Sequence, residues 1–429
     1  MLECSGTGNM RITIIGTGYV GLVTGLCFCE LGHEVVCIDV LREKVKAIQA
    51  GRAPLYEEGL QELLDKHLSN GRFHASLDYD EVLRTDITFL CVGTPSRADG
   101  SMDLSYLEIA TRSLAEVLAR KKGYHVVVVK STVTPSITDK FVAPLLASCS
   151  GKKLPKEIGV AANPEFLREG SAVSDFMHPD RIVIGASDAR TGNMVKMLYQ
   201  SFKCPILEVS PTTAEMIKMA SNVALATRIS MINEIGNVCK ELNIDVRQVA
   251  EGIGLDERIG KAFLNAGAGF GGSCFPKDVK GLLALADQMG IKPLLMKAVL
   301  DVNEIQPLRM IDLLEEHLGL DGKTIAVLGL AFKPDTDDVR ESRSIAVVRS
   351  LLNKGAKVRA HDPQGMENFS KLFPNIEYAK SAKECVKNAH AVLIMTAWPE
   401  YSEEKLYGAK LVIDGRGVVK TKNYEGICW

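Results

Sequence analysis

No run of apolar residues in this chain of 429 reaches the roughly 18 needed to cross a bilayer as a helix. The opening MLECSGTGN ahead of Met10 lacks the basic-then-apolar layout of a secretory leader. It reads as a short polar extension with no assigned function. Excess charge of one sign is missing too: 51 Lys plus Arg stand against 53 Asp plus Glu, a formal net charge of -2, with no basic run. This removes the usual footprint of a binder of nucleic acid or anionic membrane and points to small molecules or further copies of the chain as partners. Eleven cysteines run from Cys4 to Cys428 without a CxxC pair or a Cys/His cluster at zinc spacing, so no metal site is expected. An odd, scattered set of thiols fits a reducing, cytoplasmic setting in which most are small core residues.

What is present is the composition of a globular protein, 46% apolar and 24% charged, in a chain long enough for two or three domains. RITIIGTGYVGLVTGLCFCELGHEVVCIDV (11–40) switches from a β-branched run to a helical pattern and back, the size of one βαβ unit. Further buried-strand candidates are ITFLCVG (87–93), HVVVVKST (125–132), IGVAANPE (158–165) and RIVIGA (181–186), with helical segments between most of them. The alternation predicts an α/β fold with a Rossmann-like parallel sheet. From Thr212 the texture changes: residues 212–242 contain no proline and one glycine, and predict a helix ~46 Å long that connects domains. Helical patterns continue to about 318. KTIAVLGLAF (323–332) then starts a second, smaller α/β region with a strand and glycine turn but no full GxGxxG, continued by the helix of SIAVVRSLLNKG and the strand candidates KVRAHD, AVLIMTAW and LVIDGRG. The expected segments are 10–205, 206–318 and 319–429.

GTGYVG (16–21) follows a strand and precedes a helix. Gly16 permits the tight turn, Gly18 lets backbone amides approach a pyrophosphate, and Gly21 lets helix and strand pack. Asp39, at the end of the next strand, stands where a carboxylate takes ribose hydroxyls and repels a 2′-phosphate, favouring NAD over NADP. The alternative is a merely structural turn.

GFGGSCFPKD (269–278) places Cys274 among three glycines, beside Lys277 and Asp278, and glycines there are expected to strip away side-chain cover and let the backbone bring a ligand close. Read as chemistry, the thiol attacks an aldehyde as thiolate and holds it through oxidation to a thioester. Read as structure, it is a flexible turn with a packed cysteine. On the long helix Lys218 and Asn222 are four apart and face the same way, with Glu215 three residues before Lys218. Such a pair is either solvated or, on a largely buried helix, able to stabilise a developing oxyanion. NPEFLREG (163–170) spaces Glu165 and Glu169 by four after a sheet strand, where an open α/β sheet binds ligands. FKPDTDDVRESRS (332–344) is a charged loop, or a place where Lys333 and Arg343 meet phosphate.

Taken together, GTGYVG, VGTPS, KSTV, NPEFLREGSAV with DFMHPDRIVIG, the lysine and asparagine of EMIKMASN, GFGGSCFPKD, LAFKPDTDDVRES and DGRG resemble the UDP-glucose dehydrogenase family of nucleotide-sugar dehydrogenases, from about residue 10 to 420. The resemblance implies an N-terminal NAD-binding Rossmann domain, a central helical region whose long helix makes a homodimer, and a C-terminal UDP-binding domain. It implies oxidation of UDP-glucose at C6 to UDP-glucuronate with two NAD per turnover. Carried over by position, Cys274 is the nucleophile, Lys218 and Asn222 the oxyanion partners, Asp278 their assistant, Glu165 the group acting on the hydrolytic water, and Thr132 the holder of that water. The cofactor residues implied are Gly16, Gly18, Tyr19, Val20, Gly21, Asp39, Thr94, Thr132, Glu169, Lys277 and Arg343. Phe166, Leu167, Phe270, Gly271, Phe332, Lys333 and Arg416, with Glu165, Lys218, Asn222 and Cys274, would contact substrate, and Arg258 would reach the substrate of a partner subunit. One departure stands out: KSTV is followed by TPSIT (134–138), where the family usually has proline and a nearby glycine. Three other readings remain: the same chemistry on GDP-mannose or a UDP-N-acetylhexosamine, a sensor without turnover, and a two-electron dehydrogenase with a structural Cys274.

Overall fold

The computed structural model describes residues 9–419 and 423–429; apart from Asn9, the polar N-terminal extension lies outside the described residues. The described chain divides into two compact units between Ala220 and Ser221.

In the first unit β1 (Arg11–Ile15), β2 (Glu34–Ile38), β3 (Phe73–Ser76), β4 (Ile87–Leu90), β5 (His125–Val129), β6 (Ile158–Ala162), β7 (Ile182–Ala186) and β8 (Ile206–Val209) form one sheet in the order β3-β2-β1-β4-β5-β6-β7-β8. Neighbours are parallel except β6 and β7, which pair antiparallel. The apolar runs explain the burial. In β5, Val126 and Val128 enter a cluster with Ile12, Ile14 and Leu22 of the first helix (Tyr19–Glu30), while Val127 and Val129 enter a second cluster with Ile15, Ile38 and Leu114. Strands covered on both faces read as unbroken hydrophobic runs, as parallel strands do. Strand order reverses at β1, with β2 on one side and β4 on the other, so a crevice opens at the carboxyl ends of β1 and β4.

The second unit carries β9 (Thr324–Leu328), β10 (Lys357–His361), β11 (Glu377–Tyr378), β12 (Ala391–Ile394), β13 (Leu411–Asp414) and β14 (Tyr424–Gly426), all parallel, in the order β11-β10-β9-β12-β13-β14. Its sheet is also covered twice: Ile325 and Val327 face one cluster, Ala326 and Leu328 the other. Ahead of that sheet come the helices Val246–Gly254, Phe275–Gln288 and Leu294–Ile305.

The long helix runs Pro211–Glu241, one residue from the range read in the sequence, and the division between the units falls within it. Four strands were not anticipated: β3, β8, β11 and β14. They are sheet-edge strands of two to four residues, and their partly exposed positions carry little of the β-branched signal. Among the described residues no helix is long and apolar enough to cross a membrane, and no cluster of His, Cys, Asp and Glu could hold a metal.

Candidate active site

The glycine turn after β1 is built as its sequence requires. Gly16 has φ +100, and a methyl group there would lie 2.7 Å from the Cys91 carbonyl oxygen; one on Gly21 would overlap the Gly16 carbonyl. At Gly18 a methyl group would meet nothing within 4 Å, nor would one at Gly93 after β4. Tyr19 and Val20 begin the first helix, half-buried. Asp39, just past β2, accepts from the Thr17 amide at 2.8 Å, the Thr17 hydroxyl at 2.5 Å and the Leu41 amide at 2.9 Å. Burial alone would raise its pKa, but those donors and nearby Lys44 outweigh it and hold the carboxyl below its ordinary value. Open space over Gly18 and Gly93, a helix N-terminus, and an ionised carboxylate at the end of β2 fit a dinucleotide. Across the crevice the Thr94 hydroxyl donates to the Thr132 carbonyl at 2.6 Å, tying the ends of β4 and β5 together.

After β6 the chain turns through Glu165, which is buried. Its Oε1 lies 2.9 Å from Lys218 Nζ on the long helix, and its Oε2 accepts the Leu167 amide at 2.5 Å. Burial raises the Glu165 pKa, yet Lys218, the Leu167 amide and Lys130 together outweigh this and the net direction is down. Lys218 Nζ also lies 5.4 Å from the centre of the Phe166 ring, against which Arg181 stacks at 3.8 Å. Glu169 is half-buried on the same turn. Glu165, Phe166, Leu167 and Lys218 are therefore one cluster.

In the second unit Cys274 is the N-cap of the helix Phe275–Gln288 and is half-buried. Its carbonyl accepts the Asp278 amide at 2.9 Å, and the Ser273 hydroxyl lies 3.6 Å from the sulfur. Asp278, 1% exposed, joins Asn222 Nδ2 at 2.5 Å and Lys277 Nζ at 2.7 Å. The N-cap position places the sulfur at the positive end of the helix dipole.

The glycine loop is clamped by the chain itself. Asn303 exchanges two hydrogen bonds with the Phe270 backbone, at 2.7 and 3.0 Å. A methyl group on Gly271 would overlap the Glu341 carbonyl, and one on Gly272, which has φ +83, would come within 2.7 Å of the Phe332 ring. The space these glycines leave is taken by protein, so packing rather than ligand access explains them. Arg416 donates to the Met395 carbonyl at 2.7 Å and to the Gly269 carbonyl at 3.0 Å; burial, with Arg343 nearby, lowers its pKa to about 10. Arg343 is buried on the carbonyls of Asn303 and Glu341 and on the carboxylates of Glu304 and Glu341. Both arginines hold the loop and its surroundings, a use that sequence reading missed. Lys333 lies 5.7 Å over the Phe332 ring. Arg258 is exposed and paired with Asp256 at 2.6 Å.

The departure in TPSIT has a visible form. Ser136 sits at φ +80, the left-handed region that glycine prefers, and its amide and that of Thr138 donate to the buried carboxylate of Glu215, at 2.7 and 2.8 Å. Sequence reading also missed Lys130, Asn163 and Tyr199, which meet in one buried network. KSTV and NPEFLREG contain the first two, but nothing local marks Tyr199 as their partner.

Comparison with known proteins covers nearly the whole chain. Residues 10–203, 212–305 and 326–421 match, in turn, the NAD binding domain, central domain and UDP binding domain of the UDP-glucose/GDP-mannose dehydrogenase family. UDP-glucose 6-dehydrogenase AglM of Haloferax volcanii is 46% identical over 97% of this chain and 100% of its own. UDP-glucose 6-dehydrogenase YwqF of Bacillus subtilis is 43% identical over 95% of this chain and 93% of its own. Among solved structures, a UDP-glucose dehydrogenase from Pyrobaculum islandicum superposes with a TM-score of 0.95 at 45% identity, covering 100% of both chains. A UDP-D-ManNAc dehydrogenase from Pyrococcus horikoshii superposes at 0.87 with 29% identity, over 97% of this chain and 99% of that one.

Proposed function

Because this chain belongs to the UDP-glucose/GDP-mannose dehydrogenase family, we propose that it oxidises the C6 alcohol of UDP-glucose to the carboxylate of UDP-glucuronate through intermediates bound to Cys274. The observation that carries the reading is the half-buried thiol at a helix N-cap, one turn from Asp278 and its partners Asn222 and Lys277. It joins the full-length similarity to UDP-glucose 6-dehydrogenases in supporting that substrate.

NAD held at the turn of Gly16, Gly18 and Asp39 supplies the hydride acceptor for both oxidations, two per turnover. The proton of the C6 hydroxyl leaves through a water to the Asp278 carboxylate, while the Lys218 ammonium assists its removal and stabilises the oxyanion. The Cys274 thiolate adds to the aldehyde carbon, forming a C–S bond that keeps the aldehyde from leaving. Asn222 Nδ2 has one hydrogen on Asp278 and a second to offer the oxyanion. Oxidation at the same carbon leaves a thioester. Glu165, kept ionised by Lys218, takes a proton from the water that attacks it, with Thr132 orienting that water. The C–S bond breaks, the thiol regains its proton and the carboxylate departs. Lys333 and Arg416 serve the nucleotide sugar.

The same reading keeps three functional segments, 10–205, 206–318 and 319–429, and a homodimer through the central helices. Exposed Val238, Leu242, Leu255, Leu294 and Leu295 in that region support such an interface, with Arg258 serving the partner subunit. Cytoplasmic residence is supported by the ten described cysteines, which form no disulfide with one another.

The test is the NADH formed per nucleotide sugar consumed, over UDP-glucose, UDP-N-acetylmannosamine, UDP-galactose and GDP-mannose. About two NADH per UDP-glucose is expected. Single reduction, or turnover with another sugar alone, overturns the thioester or the substrate.

A further inference from the structure

Beside the Glu165–Lys218 pair stands a buried cation with no role in the reaction above. Lys130 follows β5; its Nζ donates to Asn163 Oδ1 at 3.0 Å and to the Asn163 carbonyl at 3.3 Å, with the Tyr199 hydroxyl at 3.5 Å. Tyr199 donates to the same Oδ1 at 2.5 Å, and Asn163 Nδ2 donates to the Val183 carbonyl of β7 at 2.8 Å. Asn163 thereby ties three elements together two residues before Glu165.

These hydrogen bonds of Lys130 go to neutral oxygens, a costly way to bury an amine if it served packing alone. The groups facing it are Cys91 at the end of β4, Glu165 on the turn after β6, Lys218 on the long helix, Tyr199, and the Phe89 ring at 5.9 Å. Burial pushes its pKa down to about 8 and pushes the Cys91 thiol up to about 12. At neutral pH Lys130 is thus mainly a cation, and Glu165 is the anion it faces.

We propose that Lys130 is a positioning residue for the reaction read above: through Asn163 it fixes the turn that presents Glu165, and its charge keeps that carboxylate ready to accept a proton from water. The kinetic part rests on the functional reading; the link to Glu165 does not. A residue that merely filled space would leave the titration of Glu165 unchanged.

The experiment follows the Glu165 carboxyl by carbon-13 NMR in full-length protein labelled at glutamate, assigned with Glu165→Gln. In Lys130→Met the Glu165 titration is expected to move upward by about half a pH unit or more. With NAD and UDP-glucose, kcat is expected to fall about tenfold while both KM values stay within about twofold. Lys130→Gln, which keeps a donor for Asn163 without charge, should show the same titration shift with a smaller loss of kcat, and it carries the test if the methionine variant does not fold. In the wild-type protein the carboxyl signal should move once more near pH 8 as Lys130 loses its proton. An unshifted titration in a folded variant, or no second movement in the wild type, overturns the proposal. A wild-type protein that fails to reduce NAD with UDP-glucose defeats the functional reading instead, and the titration still decides the role of Lys130.

Discussion

The turn after β1 and the turn after β9 share a frame. Gly16 and Gly329 have φ +100 and +98, and their amides donate to Ile38 and His361, the last residues of the neighbouring strands, both at 2.8 Å. Each strand is followed by an aspartate that reaches back to the turn, Asp39 in one and Asp362 in the other. There the likeness ends. Asp39 is half-buried, and the turn it serves leads to open Gly18. Asp362 is wholly buried and takes five donors: the amides of Leu330, Ala331, Gln364 and Gly365 and the indole of Trp398. One sheet end keeps its carboxylate half-exposed with three donors, two of them from Thr17; the other buries it completely as a structural acceptor. Shared topology therefore carries no shared function, and a few side chains decide.

The contrast can be broken most sharply at the two aspartates. Asp362→Ala strands five buried donors and should cost roughly 3–5 kcal/mol in denaturant unfolding. Asp39→Ala should cost about 1 kcal/mol and weaken NAD instead, with affinity for UDP-sugar kept. Equal destabilisation by the two would erase the distinction.

Titration sharpens it next. The first unit keeps Lys130 near its strand ends with a pKa of about 8 against an ordinary 10.5. Between those values the folded chain binds fewer protons than the unfolded one, so stability from this group rises as pH climbs through that window, by up to about 3 kcal/mol. Melting curves from pH 8 to 10 should show less of this rise in Lys130→Met, and identical pH dependence would contradict the buried cation.

The glycines come third. Gly16→Ala meets both a left-handed φ and a carbonyl, and should lose about 2 kcal/mol. Gly18→Ala should leave stability within about 0.5 kcal/mol while NAD affinity drops tenfold or more. Titration calorimetry beside thermal melts separates the two. The smallest effect is at Ser136, whose left-handed backbone favours glycine. Ser136→Gly should gain about 0.5 kcal/mol after the flexibility of glycine is subtracted, and a loss of stability would mean the Ser136 side chain has a use of its own.

The central strands and the long helix were legible because burial on two faces or along a helix leaves periodic apolar residues, as in His125–Val129 and Pro211–Glu241. Edge strands such as Phe73–Ser76 and Tyr424–Gly426, four and three residues long, are too short to leave such a trace. The antiparallel placement of β7 depends on pairing with β6, which no local pattern encodes. Of the site, the motif residues Asp39, Glu165, Lys218, Cys274 and Asp278 could be named from order and spacing. What escaped was who holds whom: Tyr199 on Asn163, Asn303 on Phe270, Arg416 on Gly269. Such contacts join residues tens of positions apart, and each partner alone looks ordinary.

The clamped glycine loop has a bearing on how relatives are recognised. Gly269, Gly271 and Gly272 exclude side chains because Asn303, Glu341 and Phe332 already fill the space, a demand independent of the sulfur at Cys274. A descendant that exchanged the thiol for another small group would still need every one of those glycines. Pattern matching on this loop therefore recognises the architecture, while under the proposed mechanism it is the cysteine that would separate a working oxidase of sugars from an idle copy.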